Sequence, residues 1–83
     1  MSTGESNKKR ILNYQEISQD SEELFEIMLE YLKLRNRNFE PIEAKILRKQ
    51  AEDYLLRDVP DYESAILLMI SALKIMQVYD ELN

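Results

Sequence analysis

Between Glu5 and Asn83 the sequence contains no glycine, and its two prolines stand at positions 41 and 60. Glycine and proline are the residues that most often end helices and shape turns, so the chain has two strong internal breaks and long stretches with nothing to interrupt helix. The remainder is 45% hydrophobic and 33% charged, the balance of an ordinary helical globular domain rather than of a disordered chain. The expectation is an all-α fold, a small three-helix bundle running up-down-up with a disordered N-terminal tail. Residues 1–18 would be a flexible basic tail and arm, and residues 19–83 the three-helix domain.

The last segment, Asp61–Asn83, is the one the others must be built around. Ala65-Ile66-Leu67-Leu68-Met69-Ile70 is an unbroken apolar run, extended by Ala72, Leu73, Ile75, Met76, Val78 and Tyr79. Ser71, Lys74 and Gln77 fall at steps of three, on one narrow polar stripe. A helix with so thin a polar stripe is buried around most of its circumference. Two neighbouring helices in a chain of 83 residues cover only part of it.

Boundaries follow from local chemistry. Asp20 with Glu23 three residues later is a capping-box pattern, and Asn36-Arg37-Asn38 supplies residues that tolerate a left-handed stop. Pro41 suits the first turn of a second helix. Asp58-Val59-Pro60-Asp61 breaks that helix and starts the third, with Asp58 as N-cap. Helices are thus expected near 20–36, 41–57 and 59–82, the short connections making sequence neighbours antiparallel. In the first helix, Leu24, Phe25, Met28, Tyr31 and Leu32 are assigned to the inner face, with Ile27, Leu29 and Leu34 in excess of it. Ala44, Leu47, Ala51, Tyr54 and Leu55 form the inner face of the second, the most polar of the three. In the tail, Ile11, Leu12, Tyr14 and Ile17 form a short apolar patch that either lies over the bundle or folds onto a partner.

Asp61-Tyr62-Glu63-Ser64-Ala65-Ile66 followed by Ala72-Leu73-Lys74-Ile75 resembles the second helix of a tetratricopeptide repeat, in which small residues at the positions of Ala65 and Ala72 let helices pack closely. The resemblance covers this stretch alone. In the preceding helix Asp53 stands where the repeat has its close-packing glycine, and no second copy follows, whereas a stable array needs about three.

Catalytic and metal chemistry have little to work with. The absence of both Cys and His removes disulfides, zinc sites of the usual kind and Ser-His or Cys-His nucleophile pairs. Glu22, Glu23, Glu26 and Glu30 lack the glycine turn and loop carbonyls of a calcium site. The five tyrosines, at 14, 31, 54, 62 and 79, read as core-edge residues. No enzyme activity, cofactor, metal or small-molecule substrate is expected. The N-terminus lacks the apolar region of a secretory signal. The longest uninterrupted apolar run, residues 65–70, falls far short of the roughly 20 a membrane span requires. A cytoplasmic location follows as the expectation.

Charge is unevenly distributed. Residues 16–32 carry six acidic side chains and no basic one, whereas residues 33–49 carry six basic and two acidic. Lys33, Arg35, Arg37, Lys45, Arg48 and Lys49 therefore surround the first interhelical turn, with Lys8, Lys9 and Arg10 forming a second basic cluster in the tail. Both could touch nucleic acid or an acidic partner, weakly and in a salt-sensitive way.

The functional expectation is a small helical protein–protein interaction module or accessory subunit that binds a larger partner, or itself as a homo-oligomer, through an apolar helix face. Ile27, Leu29, Leu34, Leu67, Ile70 and Met76 are the candidate contacts. The alternative is an accessory subunit of a nucleic-acid-processing enzyme such as a DNA polymerase, its basic tip toward the nucleic acid.

Overall fold

The computed structural model describes the backbone of residues 2–82 and the side chains of residues 19–82. It contains three helices and, among the described residues, no strand: α1 (Ser2–Arg37), α2 (Ile42–Leu55) and α3 (Tyr62–Leu82). The expected helix start at Asp20 is not a boundary. Helical backbone is already under way there, because nothing after Gly4 stops it, and Asp20 and Glu23 are interior residues without a capping box. The expected disordered tail and arm, including Lys8, Lys9 and Arg10, fall on residues 1–18, whose side chains lie outside those described.

Each remaining boundary has a local cause. No residue of positive φ occurs among the described residues, so α1 ends without a left-handed stop. Asn38 closes it instead: its backbone N–H donates to the Leu34 carbonyl at 2.9 Å and its side-chain Nδ2 donates to the same oxygen at 3.0 Å. Pro41, extended at φ −62° and ψ 150°, is the N-cap of α2, and its carbonyl accepts from Lys45 N–H at 3.0 Å. At the other end of α2, the Leu56 N–H is shared between the Glu52 and Asp53 carbonyls.

The α3 cap falls at Asp61 rather than at Asp58. Asp61 Oδ1 accepts from Ser64 N–H at 3.1 Å, and Ser64 Oγ donates to Oδ2 at 2.7 Å, the contact that satisfies an otherwise orphaned helix donor. Pro60 decides this by holding Val59 away from helical geometry. The Asp61 N–H meanwhile donates to the Tyr54 carbonyl at 3.1 Å, closing the α2–α3 hairpin.

α3 is the middle element. It packs against α1 and α2, while α1 and α2 do not pack on one another among the described residues. The short connections make α2 antiparallel to both. α1 and α3 consequently run in the same direction, so that Arg37 and Asn38 at the end of α1 meet Asp80 near the end of α3. The expected antiparallel run of sequence neighbours holds, but α1 and α2 are not packed side by side: their connection turns the chain, and α3, with apolar residues on two sides, attracts both.

The core is a set of matched stripes. α1 contributes Leu24, Tyr31 and Leu34, with Ile27 partly buried beside them. Spacings of three and four residues place all four on one side of the helix. α3 contributes Ala65, Ile66, Met69, Ala72 and Met76, and α2 contributes Ala44 and Ala51. The four alanines are effectively inaccessible. Within each helix they are seven residues apart, so α2 and α3 meet along a seam of methyl groups that permits close approach. Met69 and Met76 fill the space beside this seam, each worth about 2–3 kcal/mol in apolar surface removed from water.

Candidate interaction surface

Three surface features stand outside this core. The first is the outer side of α1. Phe25, Leu29 and Leu32 are 62%, 43% and 46% exposed, and spacings of four and three residues place them on a single stripe. That stripe lies about 150° around the helix from the core-facing one. Glu22, Glu26 and Lys33, all exposed, flank it on one edge, and the partly buried Met28 and the exposed Arg35 on the other.

The second is a groove of about 380 Å³ between the start of α2 and the end of α3, floored by Pro41, Ile75, Val78, Tyr79 and Leu82 with Glu43 and Lys74 at its rim. It is largely apolar, and Val78 and Leu82 are well exposed. A more polar depression near the other end of the same helix pair is lined by Tyr54, Arg57, Ser64 and Leu67. There the Arg57 guanidinium sits 4.2 Å from the centre of the Tyr54 ring, a cation–π contact that supports the hairpin turn.

The third is the turn between α1 and α2, where the basic residues gather. Glu40 is its centre, with a side chain only 9% exposed. Arg48 grips it with two donors, Nε to Oε2 at 2.8 Å and Nη2 to Oε1 at 3.1 Å, while Nη1 donates to Glu52 at 2.7 Å. The fully buried Tyr31 donates its hydroxyl to Glu40 Oε2, and Arg35 Nε lies 3.9 Å from Oε1. The Arg48 hydrogen bonds hold the Glu40 carboxyl below its usual range, outweighing the effect of burial. Burial, reinforced by the hydrogen bond to Glu40, pushes the Tyr31 phenol well above its ordinary value. Arg48 is in turn locked in its charged form by its hydrogen bonds to Glu40 and Glu52. Each member is thus hydrogen-bonded to or ion-paired with another. The cluster ties α1 to α2 where the two helices do not pack.

The expected contact residues divide between surface and interior. Leu29 and Leu67 are exposed, while Ile27 and Ile70 are half-buried against the core. Leu34 and Met76 are core residues, the latter wholly inaccessible. Met76 follows Ala72 and Met69 by four and seven residues and shares their stripe; Leu34 follows Tyr31 by three. Neither is available to a partner without unfolding. Phe25 and Leu32, assigned to the inner face from sequence, are instead on the outside. The inner stripe 24, 27, 31, 34 leaves 25, 29 and 32 to the opposite side, and both sets have helical three-four spacing, so the sequence alone does not choose between them. Ile42 and Ile46 were also missed, exposed four residues apart on α2.

Of the basic residues, Arg35 and Arg48 are engaged with Glu40, Arg37 pairs with Asp80 at 3.2 Å and Lys33 with Glu30 at 3.4 Å. Lys45 and Lys49 take part in no salt bridge among the described residues. No group of side chains suited to a metal ion occurs among the described residues, and no helix is long and apolar enough to cross a membrane.

The chain matches no protein-family model, no curated protein and no solved structure. The likeness of Asp61–Ile75 to a tetratricopeptide helix thus rests on those residues alone.

Proposed function

We propose that this chain is a small helical interaction module that acts by laying the outer side of α1 against another polypeptide. The carrying observation is the Phe25–Leu29–Leu32 stripe. α1 already has a complete inner stripe against α3, so these three side chains are not needed to form the bundle, and each exposes a large apolar surface. Apolar helix faces with anchors at such spacings are a recurrent means of helix-mediated recognition. Leu67 and the groove at Pro41 and Val78 add apolar surface on other sides of the molecule.

The engagement of Arg35, Arg37 and Arg48 in intramolecular pairs favours this reading over an accessory subunit whose basic turn faces nucleic acid. Phosphate binding there would have to compete with Glu40 and Asp80.

The test is proximity labelling from a photo-crosslinking residue placed at Glu22, beside the stripe. Polypeptide adducts should form with the wild-type chain and disappear when Phe25 and Leu32 are both replaced by Ser. Equal adducts from both proteins would sink the proposal.

A further inference from the structure

We infer that the polypeptide on this stripe is a second copy of the same chain, its α1 running antiparallel across a two-fold axis at Leu29. The inference rests on the interaction-module reading and names the occupant. Its basis is the polarity of charge along α1. Every ionisable side chain from Asp20 to Glu30 is acidic, and every one from Lys33 to Arg37 is basic. A surface graded in this way repels itself in parallel register, which would place carboxylate beside carboxylate, and complements itself when reversed.

The register follows from the stripe. With the axis at Leu29, that residue meets its own copy, and Phe25, four residues before it, falls beside Leu32 of the second copy, three residues after it. Because the contact is isologous, the pairing occurs twice. The edges agree with this arrangement. Glu26 and Lys33, on the same exposed edge, are nearly equidistant from Leu29 in opposite directions, so each faces the other across the axis. On the opposite edge Met28 meets Met28 and Arg35 lies toward Ser21. The stripe points away from α3, so a second helix can lie along it without displacing any core side chain. Three anchors per copy make an interface smaller than the about 800 Å² per partner of standard complexes, and the dimer should accordingly be reversible in the micromolar range.

Sedimentation of the full chain from about 1 to 300 µM at low salt provides the test. A concentration-dependent monomer–dimer equilibrium is expected, abolished by Leu29→Glu. Glu26→Lys and Lys33→Glu, tested separately, each place like charges together twice and should weaken self-association about tenfold. An equimolar mixture of the two variants restores both opposite-charge contacts and should recover dimerisation. Circular dichroism confirms that each variant is folded.

A wild-type chain that remains monomeric overturns the inference, as does a dimer indifferent to Leu29→Glu. Loss on Leu29→Glu without rescue in the mixture overturns the antiparallel register. A monomer that still gives stripe-dependent adducts with a different polypeptide sinks the dimer and leaves the interaction-module reading standing. A monomer without such adducts removes both.

Discussion

Tyr31 and Glu40 lie nine residues apart in sequence, yet the hydroxyl of the first donates to the carboxylate of the second, joining the core of α1 to the segment that leads into α2. α1 and α2 do not pack on each other, so this contact and the Arg48 grip on the same carboxylate link α1 to α2 directly at the turn. Replacing Glu40 by Ala should cost about 3 kcal/mol, because it leaves a largely buried guanidinium with only Glu52. Tyr31→Phe, which removes one hydrogen bond to a charged acceptor, should cost about 2 kcal/mol. Denaturant unfolding measures both, and values within error of wild type would show that the cluster does not hold the turn.

The same pair gives the fold a dependence on pH at both extremes. Glu40 is held below its ordinary range in the folded protein, so its contribution is complete above the unfolded value of about 4.3 and is lost as pH falls through the lower folded value. The Tyr31 phenol is raised, so its contribution is complete below about pH 10 and is lost as pH rises toward the folded value. Melting temperature should decline at both ends. Tyr31→Phe should flatten the alkaline decline and Glu40→Gln the acid one; a variant with the unchanged wild-type profile would contradict the assignment.

The cap of α3 is Asp61. Asp61→Ala removes this cap and should lower the melting temperature by roughly 4–8 °C. Asp58→Ala should have little effect, because Asp58 is exposed and precedes the helix by more than a residue. Equal losses from both substitutions would return the cap to the earlier position.

Exposure divides the apolar residues into two classes that mutate differently. Met69→Ala and Met76→Ala should each cost about 2–5 kcal/mol, since both side chains are enclosed. Phe25→Ser and Leu32→Ser should each change the stability of the monomer by under about 0.5 kcal/mol. Thermal unfolding of dilute protein distinguishes the two classes.

Much of this architecture was legible in the residues. The two prolines and the apolar density of Asp61–Asn83 were enough to divide the chain into helices and to place the third at the centre. Pro41 and Pro60 act through local backbone geometry, which sequence reports directly. The phase of the α1 stripe was harder to read, because Leu24, Phe25, Ile27, Met28, Leu29, Leu32 and Leu34 spread around much of the helix and several choices of face look equally apolar. Only the position of α3 chooses among them, turning Leu34 inward and Phe25 and Leu32 outward. The Glu40 cluster was illegible for a similar reason: Tyr31, Glu40 and Arg48 come from separate elements, and nothing in their spacing announces that they meet.

The seam of Ala44, Ala51, Ala65 and Ala72 bears on the order of assembly. α2 and α3 are joined by a short connection, so their contacts form at a small loop-closure cost, and methyl groups need no rotamer to be selected before they mesh. Segments of high helical propensity joined in this way suit a nucleus of local contacts. α1, reaching α3 across the intervening α2, comes later. Kinetic φ-values should therefore be high for Ala→Gly substitutions at positions 51 and 65 and low for Leu24→Ala, so that α1, the helix bearing the exposed stripe, is also the last to find its place.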